Sequence, residues 1–110
     1  NDLIRPALYG SWMNIINAHK YDDIDAVNTD IVGPICESDD FLGKNRSLSV
    51  KDGDILVVRG AGAYGSSMSS NYNSRRLCAE VMVDGDKAYL IRKRQDYSDI
   101  WKDELLLQYK

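Results

Sequence analysis

Residues 77–92 read Leu-Cys-Ala-Glu-Val-Met-Val-Asp-Gly-Asp-Lys-Ala-Tyr-Leu-Ile-Arg, two apolar runs joined by a turn. The runs, Leu77 to Val83 and Lys87 to Arg92, are separated by Asp84-Gly85-Asp86. An Asp-Gly pair favours the positive backbone angles of a tight hairpin turn. The sequence therefore predicts a β-hairpin at this place.

Further strands are predicted upstream of the hairpin. Apolar and polar residues alternate from Ala26 to Val32, which is typical of a strand, and Gly33-Pro34 ends it. Residues 40 to 53 are mostly loop-formers, and a turn signal then leads into Ile55 to Val58, which predicts a buried strand. Residues 60 to 73 are rich in glycine, serine and asparagine and indicate a long loop or irregular strand.

Two short helices are predicted to frame these strands. Proline suits the first position of a helix from Pro6 to Asn17, whose apolar residues follow helical spacing. Asp96-Tyr97-Ser98-Asp99 resembles a capping box and predicts a closing helix towards Glu104. Trp12 and Trp101 are predicted to be core or domain-interface anchors on these helices. The fold class is therefore mostly β, a small barrel or sandwich with short flanking helices.

Composition restricts the class of protein. The chain has 110 residues, 44% hydrophobic and 28% charged, which predicts one compact soluble domain over residues 1–110. Its net charge is -3 and its basic residues are scattered, which argues against a nucleic-acid partner. The longest apolar runs are too short for a bilayer and no leader is visible, so we expect a cytoplasmic protein without membrane contact.

Metal chemistry is not expected from this chain. Cys36 and Cys78 are 42 positions apart, and His19 is the single histidine. This spacing does not match a zinc or iron site, although the sequence leaves a disulfide open. We interpret Cys78 as a core residue and His19 as structural or surface.

Two segments could bind an anionic ligand. Arg5 and Tyr9 are four positions apart, so both can face one point and bind a carboxylate; an ordinary surface pair is the alternative. Residues 60 to 65 match a G-x-G-x-x-G string that can cradle phosphate through backbone amides. No βαβ unit surrounds the string, so its small residues are equally consistent with a tight loop.

Cys36-Glu37-Ser38-Asp39-Asp40 places a thiol beside three acids. Such a cluster can perform acid and base chemistry, whereas a solvated loop is the more common interpretation. Cys36 by itself is interpreted as a small buried hydrophobe.

Taken together, several strings resemble those of bacterial diaminopimelate decarboxylases in order and approximate spacing, from Asn1 to about Glu104. They are Arg5-Pro6-Ala7-Leu8-Tyr9, Val32-Gly33-Pro34-Ile35-Cys36-Glu37-Ser38, Gly62-Ala63-Tyr64-Gly65, Met68-Ser69-Ser70-Asn71-Tyr72-Asn73-Ser74-Arg75 and Ala79-Glu80-Val81. The resemblance implies a two-domain lyase that depends on pyridoxal 5'-phosphate and converts meso-2,6-diaminopimelate to L-lysine. This chain would be its C-terminal β domain, without the N-terminal β/α barrel that supplies the cofactor lysine.

The resemblance also implies residue roles. Arg5 and Tyr9 would bind the carboxylate at the L centre of the substrate, and Glu37 would bind the amino group at that end. Tyr64 would contact the cofactor phosphate or its close surroundings, including substrate, and Cys36 would be the catalytic residue near the reacting carbon.

The resemblance further implies a homodimer in which Cys36 and Glu37 serve the neighbouring subunit's active site. The isolated 110 residues are therefore expected to be inactive. The chain departs from the family at two positions, carrying Asp39 where glycine is usual and Arg76 where proline is usual.

Two alternative functions stay open at this point. A related decarboxylase of ornithine, arginine or carboxynorspermidine would have the same cofactor and fold, although Cys36-Glu37-Ser38 favours diaminopimelate. A non-catalytic β-barrel binding or assembly module is the alternative of a different class.

Overall fold

The structure is a computed structural model that describes residues 1–109. It contains two compact units, residues 1–69 and the residues from Ser70 onward. The first unit contains α1 (Pro6–Tyr9), β1 (Asn14–Asn17), β2 (Val27–Val32), β3 (Phe41–Leu48), β4 (Leu56–Arg59) and α2 (Gly62–Gly65). The second contains a 3-10 turn (Tyr72–Ser74), β5 (Glu80–Asp84), β6 (Lys87–Arg92) and α3 (Ser98–Trp101).

Among the described residues, strands contain more residues than helices do, which confirms the mostly β class. The strands of residues 1–109 pair antiparallel into three two-stranded sheets, β1 with β4, β2 with β3 and β5 with β6. The pairing among these residues does not close into a barrel.

The core of the first unit lies between its two sheets. Ile15 of β1, Ile31 of β2 and Leu48 of β3 are buried in one cluster. Gly43 allows this packing, because a Cβ there would lie 3.0 Å from the Ile15 Cδ1 atom and 2.7 Å from the Arg46 Nε atom. Apolar side chains from both sheets therefore meet across a glycine.

The helix predicted from Pro6 to Asn17 is wrong beyond its first turn. Gly10 has a φ of 61° and ends α1 in the left-handed conformation. Ile15 and Ile16 then form a strand paired with Val58 and Val57. Trp12 is 72% exposed and Trp101 is 51% exposed, so neither is a core residue of this domain, whereas a role as a domain-interface anchor stays a prediction.

The prediction of loop for residues 40 to 53 is also wrong, because β3 occupies much of this range. The pairing of β2 with β3 is irregular, with register shifts on both sides of Ile31, and Asn45 has a positive φ of 54°. The predicted strand at Ala26 to Val32 is confirmed as β2. The strand predicted at Ile55 to Val58 is present as β4, displaced by one residue and only half-buried.

The second unit confirms the predicted hairpin. β5 and β6 pair from Glu80 with Arg92 to Asp84 with Lys87, and Gly85 has a φ of 61° in the turn. The closing helix is present but shorter than predicted. Asp99 accepts a hydrogen bond from the Asp96 backbone N–H at 2.9 Å, which is one half of a capping box. Residues 60 to 73 form a loop that contains α2 and the start of the 3-10 turn.

Candidate functional site

A cavity of about 470 Å³ lies in the first unit where α1, α2 and the ends of the β1–β4 sheet meet. Arg5, Tyr9 and Tyr64 line it together, with apolar side chains that include Met13 and Met68. The sequence indicated no role for these two methionines in the cavity.

The pairing of β1 with β4 explains why these groups meet. Asn14 at the start of β1 lies opposite Arg59 at the end of β4, so the segment before β1 and the segment after β4 lie at one end of the sheet. The first of these segments contains α1 and the second contains α2. Gly60, with a φ of 72°, turns the chain between β4 and α2.

Arg5 and Tyr9 share the cavity because they flank a single helical turn. Arg5 precedes Pro6, which begins α1, and Tyr9 ends the helix. Within residues 1–109 the Arg5 guanidinium makes no hydrogen bond or ion pair, and both side chains are exposed. Their hydrogen-bonding groups are therefore available to a ligand with an acidic group.

Small residues leave space next to Tyr64. Gly60 and Ala61 line the same cavity, and a Cβ at Gly60, Gly62 or Gly65 would meet no atom within 4 Å. A phenol hydroxyl can donate to a phosphate oxygen, and a side-chain-poor loop lets such a group approach the backbone. These residues therefore fit a phosphate-bearing ligand, as the glycine-rich string suggested.

Cys36 and Glu37 lie on the loop between β2 and β3 and do not line this cavity. Glu37 lines a second cleft of about 320 Å³ together with Arg5 and Asp39, and it contacts the Asn1 backbone nitrogen. Cys36 is a free, exposed cysteine, so its interpretation as a buried hydrophobe is wrong.

Asp39 and Arg76 both have a structural place. The backbone of Asp39 does not have a positive φ, so its position does not require glycine. The Arg76 guanidinium lies 4.7 Å from the centre of the Tyr97 ring in the second unit, a cation–π contact.

The structure also gives an outcome for Cys78 and His19. Cys78 is a half-buried free cysteine, so it is not a fully buried core residue, and His19 is exposed, as predicted. Residues 1–109 hold no cluster of three or more His, Cys, Asp or Glu suited to a metal ion. None of the helices in this range has the length and apolar character that a membrane span requires.

The fold and the cavity define a β domain in which a guanidinium and two phenols line one cavity. Residues 1–62 match the family model described as pyridoxal-dependent decarboxylase, C-terminal sheet domain. The chain belongs to this family.

Within the family, the chain is similar to diaminopimelate decarboxylases. It is 54% identical over 107 residues to the diaminopimelate decarboxylase of Vibrio cholerae, covering 97% of this chain and 25% of that protein. It is 46% identical over 110 residues to the enzyme of Archaeoglobus fulgidus, covering 99% of this chain and 26% of that protein. The chain therefore spans about a quarter of the length of these relatives.

Solved structures agree with this similarity. The diaminopimelate decarboxylase of M. jannaschii in complex with L-lysine superposes with a TM-score of 0.89 at 36% identity, covering 96% of this chain and 24% of that chain. The diaminopimelate decarboxylase of Helicobacter pylori complexed with L-lysine superposes with a TM-score of 0.79 at 39% identity, covering 92% of this chain and 25% of that chain. In both structures, the match covers about a quarter of the longer solved chain.

Proposed function

We propose that the chain is the C-terminal domain of a cytoplasmic diaminopimelate decarboxylase, which releases carbon dioxide from meso-2,6-diaminopimelate to give L-lysine. The pyridoxal phosphate site would lie mainly on an N-terminal barrel domain outside these 110 residues. The observation that carries the proposal is the cavity where Arg5, Tyr9 and Tyr64 meet, in a chain that is 54% identical to a diaminopimelate decarboxylase.

Arg5 and Tyr9 would bind the substrate carboxylate that is not removed. The guanidinium offers a planar pair of donors and the phenol a third, so together they match a carboxylate better than an amine or an alcohol. Their position on one helical turn fixes their spacing before the ligand arrives. Because Arg5 makes no ion pair within residues 1–109, binding would not require an internal pair to break.

Tyr64 would hold the phosphate of the cofactor. The free space above Gly60 and Gly62 supports this role, because a phosphate could reach the backbone there without meeting a side chain. When bound, pyridoxal phosphate would supply an electron sink for the negative charge left on carbon by the loss of carbon dioxide. The proposed role of Tyr64 is to orient that group.

Glu37 and Cys36 would act in the active site of a second subunit. The loop that carries them is exposed and does not line the cavity of Arg5, Tyr9 and Tyr64, and Glu37 instead lines the second cleft beside Arg5, so both side chains are accessible to a second subunit. Glu37 would accept hydrogen bonds from the ammonium group at the L centre of the substrate, the end that keeps its carboxylate. The Cys36 thiol, exposed on the same loop, would return a proton to the reacting carbon.

The test is turnover by the full-length protein that contains this chain. We expect carbon dioxide release from meso-diaminopimelate, and much slower release from ornithine and arginine, which lack a second amino-acid head. Both lack the second carboxylate, so they would leave the Arg5 guanidinium and the Tyr9 phenol without an acidic partner. Equal or faster turnover of ornithine or arginine would contradict the proposed substrate, and absence of any decarboxylation would contradict the proposed reaction.

A further inference from the structure

Asp40 closes the loop that carries Cys36 and Glu37. Its carboxylate accepts a hydrogen bond from the Ile35 backbone N–H at 2.6 Å, and its carbonyl accepts one from the Gly33 N–H at 2.8 Å. The residue is 5% exposed, whereas Cys36 and Glu37 between these anchor points are exposed. A buried acid therefore fixes both ends of an exposed loop.

The same carboxylate also holds the segment that leads to Arg5. Its second oxygen accepts a hydrogen bond at 2.7 Å from the side-chain amide of Asn1, which is 4% exposed. The carbonyl oxygen of that amide accepts from the backbone N–H groups of Leu3 and Ile4, at 2.8 Å and 3.4 Å. Asn1 thus places its donor on Asp40 and its acceptor on the backbone just before Arg5.

Gly33 shows how closely the carboxylate packs. A Cβ at this position would collide with both carboxylate oxygens of Asp40 and would lie 2.6 Å from the Asn1 side-chain nitrogen. The backbone of the loop therefore lies directly against the hydrogen-bonded pair of side chains, and displacement of the pair would displace the loop.

We infer that Asp40, paired with Asn1, is a positioning residue for the active site, and that it acts through the Ile35 N–H on Cys36 and Glu37. The inference rests on the proposed function, because it takes these two residues as parts of the partner subunit's site. Asp40 itself, being buried against Asn1 and Gly33, would not touch the substrate.

The hydrogen-bond pattern allows a test by exchange of the two side chains. Asp40→Asn in the full-length enzyme turns one amide hydrogen towards either the Asn1 amide or the Ile35 N–H, so that two buried donors face each other. Asn1→Asp alone places two buried carboxylates together. The double change Asn1→Asp with Asp40→Asn restores an acceptor to the Ile35 N–H, a donor–acceptor pair between the side chains and an acceptor to Leu3 and Ile4.

We expect each single variant to lose up to about 100-fold in kcat/KM for diaminopimelate, because small displacements of catalytic groups have effects of this size. Cofactor absorbance and dimer formation should be unchanged, and the double variant should recover most of the activity. When Asp40→Asn subunits are co-assembled with subunits that lack the cofactor lysine, part of the activity should return, because the site that keeps its lysine then receives Cys36 and Glu37 from a subunit with an unchanged Asp40. A purely structural defect would give no such return.

Wild-type kcat/KM in Asp40→Asn would overturn the inference while leaving the proposed function intact. Failure of the double variant to recover, or absence of return in mixed dimers that are shown to form, would also overturn it. If the wild-type protein itself released no carbon dioxide, the positioning role of Asp40 could still be tested by the rate of Cys36 alkylation, measured by peptide mass spectrometry. That rate should change in both single variants and recover in the double variant, and an unchanged rate would refute the positioning role.

Discussion

Arg5 shows how an exposed side chain acquires a defined direction. Pro6 fixes the first turn of α1, Tyr9 ends it, and Gly10 turns the chain away in the left-handed conformation. The helix has four residues, so the positions of Arg5 and Tyr9 depend on these two special residues more than on helix propensity.

The change Arg5→Ala in the full-length enzyme should lower kcat/KM for diaminopimelate about 10- to 100-fold, since a hydrogen bond to a charged group is worth roughly 1.5–3 kcal/mol. Cofactor absorbance should stay the same. Arg59→Ala is the matched control, because Arg59 is exposed and lines neither cavity. Loss of the cofactor with retained substrate affinity would show that Arg5 does not bind the carboxylate.

Asp54 and Tyr21 form a pair with consequences for the pH dependence of stability. The Tyr21 hydroxyl donates to Asp54 at 2.5 Å, and the Lys51 backbone N–H and the Asn17 amide donate to the same carboxylate. The Tyr21 hydrogen bond is the largest cause that lowers the pKa of Asp54, and the Lys51 N–H contributes next. The same hydrogen bond to Asp54 raises the pKa of Tyr21.

The change Tyr21→Phe should therefore reduce the free energy of unfolding most near neutral pH. The contribution of Asp54 is present above its unfolded-state pKa and is lost as the pH falls through its lower, folded-state pKa. The contribution of Tyr21 is present below its unfolded-state pKa and is lost as the pH rises through its higher, folded-state pKa. The measurement is urea unfolding of the wild type and of Tyr21→Phe from acid to alkaline pH. If their free energies of unfolding differ by the same amount at every pH, the hydrogen bond does not couple the titrations of Tyr21 and Asp54 to stability.

At the scale of elements, local signals predicted some features and missed others for identifiable reasons. The hairpin of β5 and β6 was predictable because Asp84-Gly85 specifies its turn locally. Ile15 and Ile16 fit helical spacing equally well, and only the pairing with β4, some 40 positions along the chain, makes them a strand. β3 contains Gly43, Lys44 and Asn45, which have low strand propensity, so its pairing with β2 overrides the local signal.

The candidate site followed the same division between local and distant signals. The spacing of Arg5 and Tyr9 is a local signal and predicted a shared direction. Their meeting with Tyr64 depends on the β1–β4 sheet and could not be derived from spacing. Asp40 was indistinguishable from its acidic neighbours because its burial depends on Asn1, which is 39 positions away.

Gly33 gives a prediction about the loop between β2 and β3. Gly33→Ala in the full-length protein should destabilise it by about 1–3 kcal/mol, since the added methyl group would force the buried Asp40 carboxylate to move. Gly62→Ala is the control, because it meets no atom within 4 Å and lacks a positive φ. Urea denaturation measures both, and equal stability of the two variants would show that the Asp40 packing is not tight.

At the scale of the whole molecule, the chain exposes many large apolar side chains. Leu105, Leu106 and Leu107 at the end of the second unit are 92%, 95% and 78% exposed. Exposed apolar groups in sequence are typical of surfaces that contact other protein.

The isolated 110-residue chain should therefore self-associate, and it should release no carbon dioxide from diaminopimelate because the cofactor lysine is proposed to lie on another domain. Sedimentation over a range of concentrations measures the first property, and Leu106→Lys should reduce association relative to wild type. A chain that stays monomeric at high concentration would contradict the first expectation, and turnover by the pure chain would contradict the second.

The arrangement of the proposed dimer leads to the most specific prediction. Glu37 would act in the partner's site, whereas the cofactor lysine would act in the site of its own subunit. Full-length Glu37→Ala and the lysine variant should each be inactive as homodimers. In a mixed dimer, one site has lost both groups and the other has both intact. With equal amounts and random exchange, about half of the dimers are mixed and half of their sites are whole, so activity should return to at most about a quarter of wild type.

Cys36→Ala should behave in the same way, because Cys36 lies on the same loop as Glu37. Arg5→Ala should give no return with the lysine variant, because Arg5 and the cofactor lysine each act in the site of their own subunit. In a mixed dimer, one site then lacks Arg5 and the other lacks the lysine. If mixed dimers form and Glu37→Ala and Cys36→Ala both stay inactive, these residues do not act across the interface.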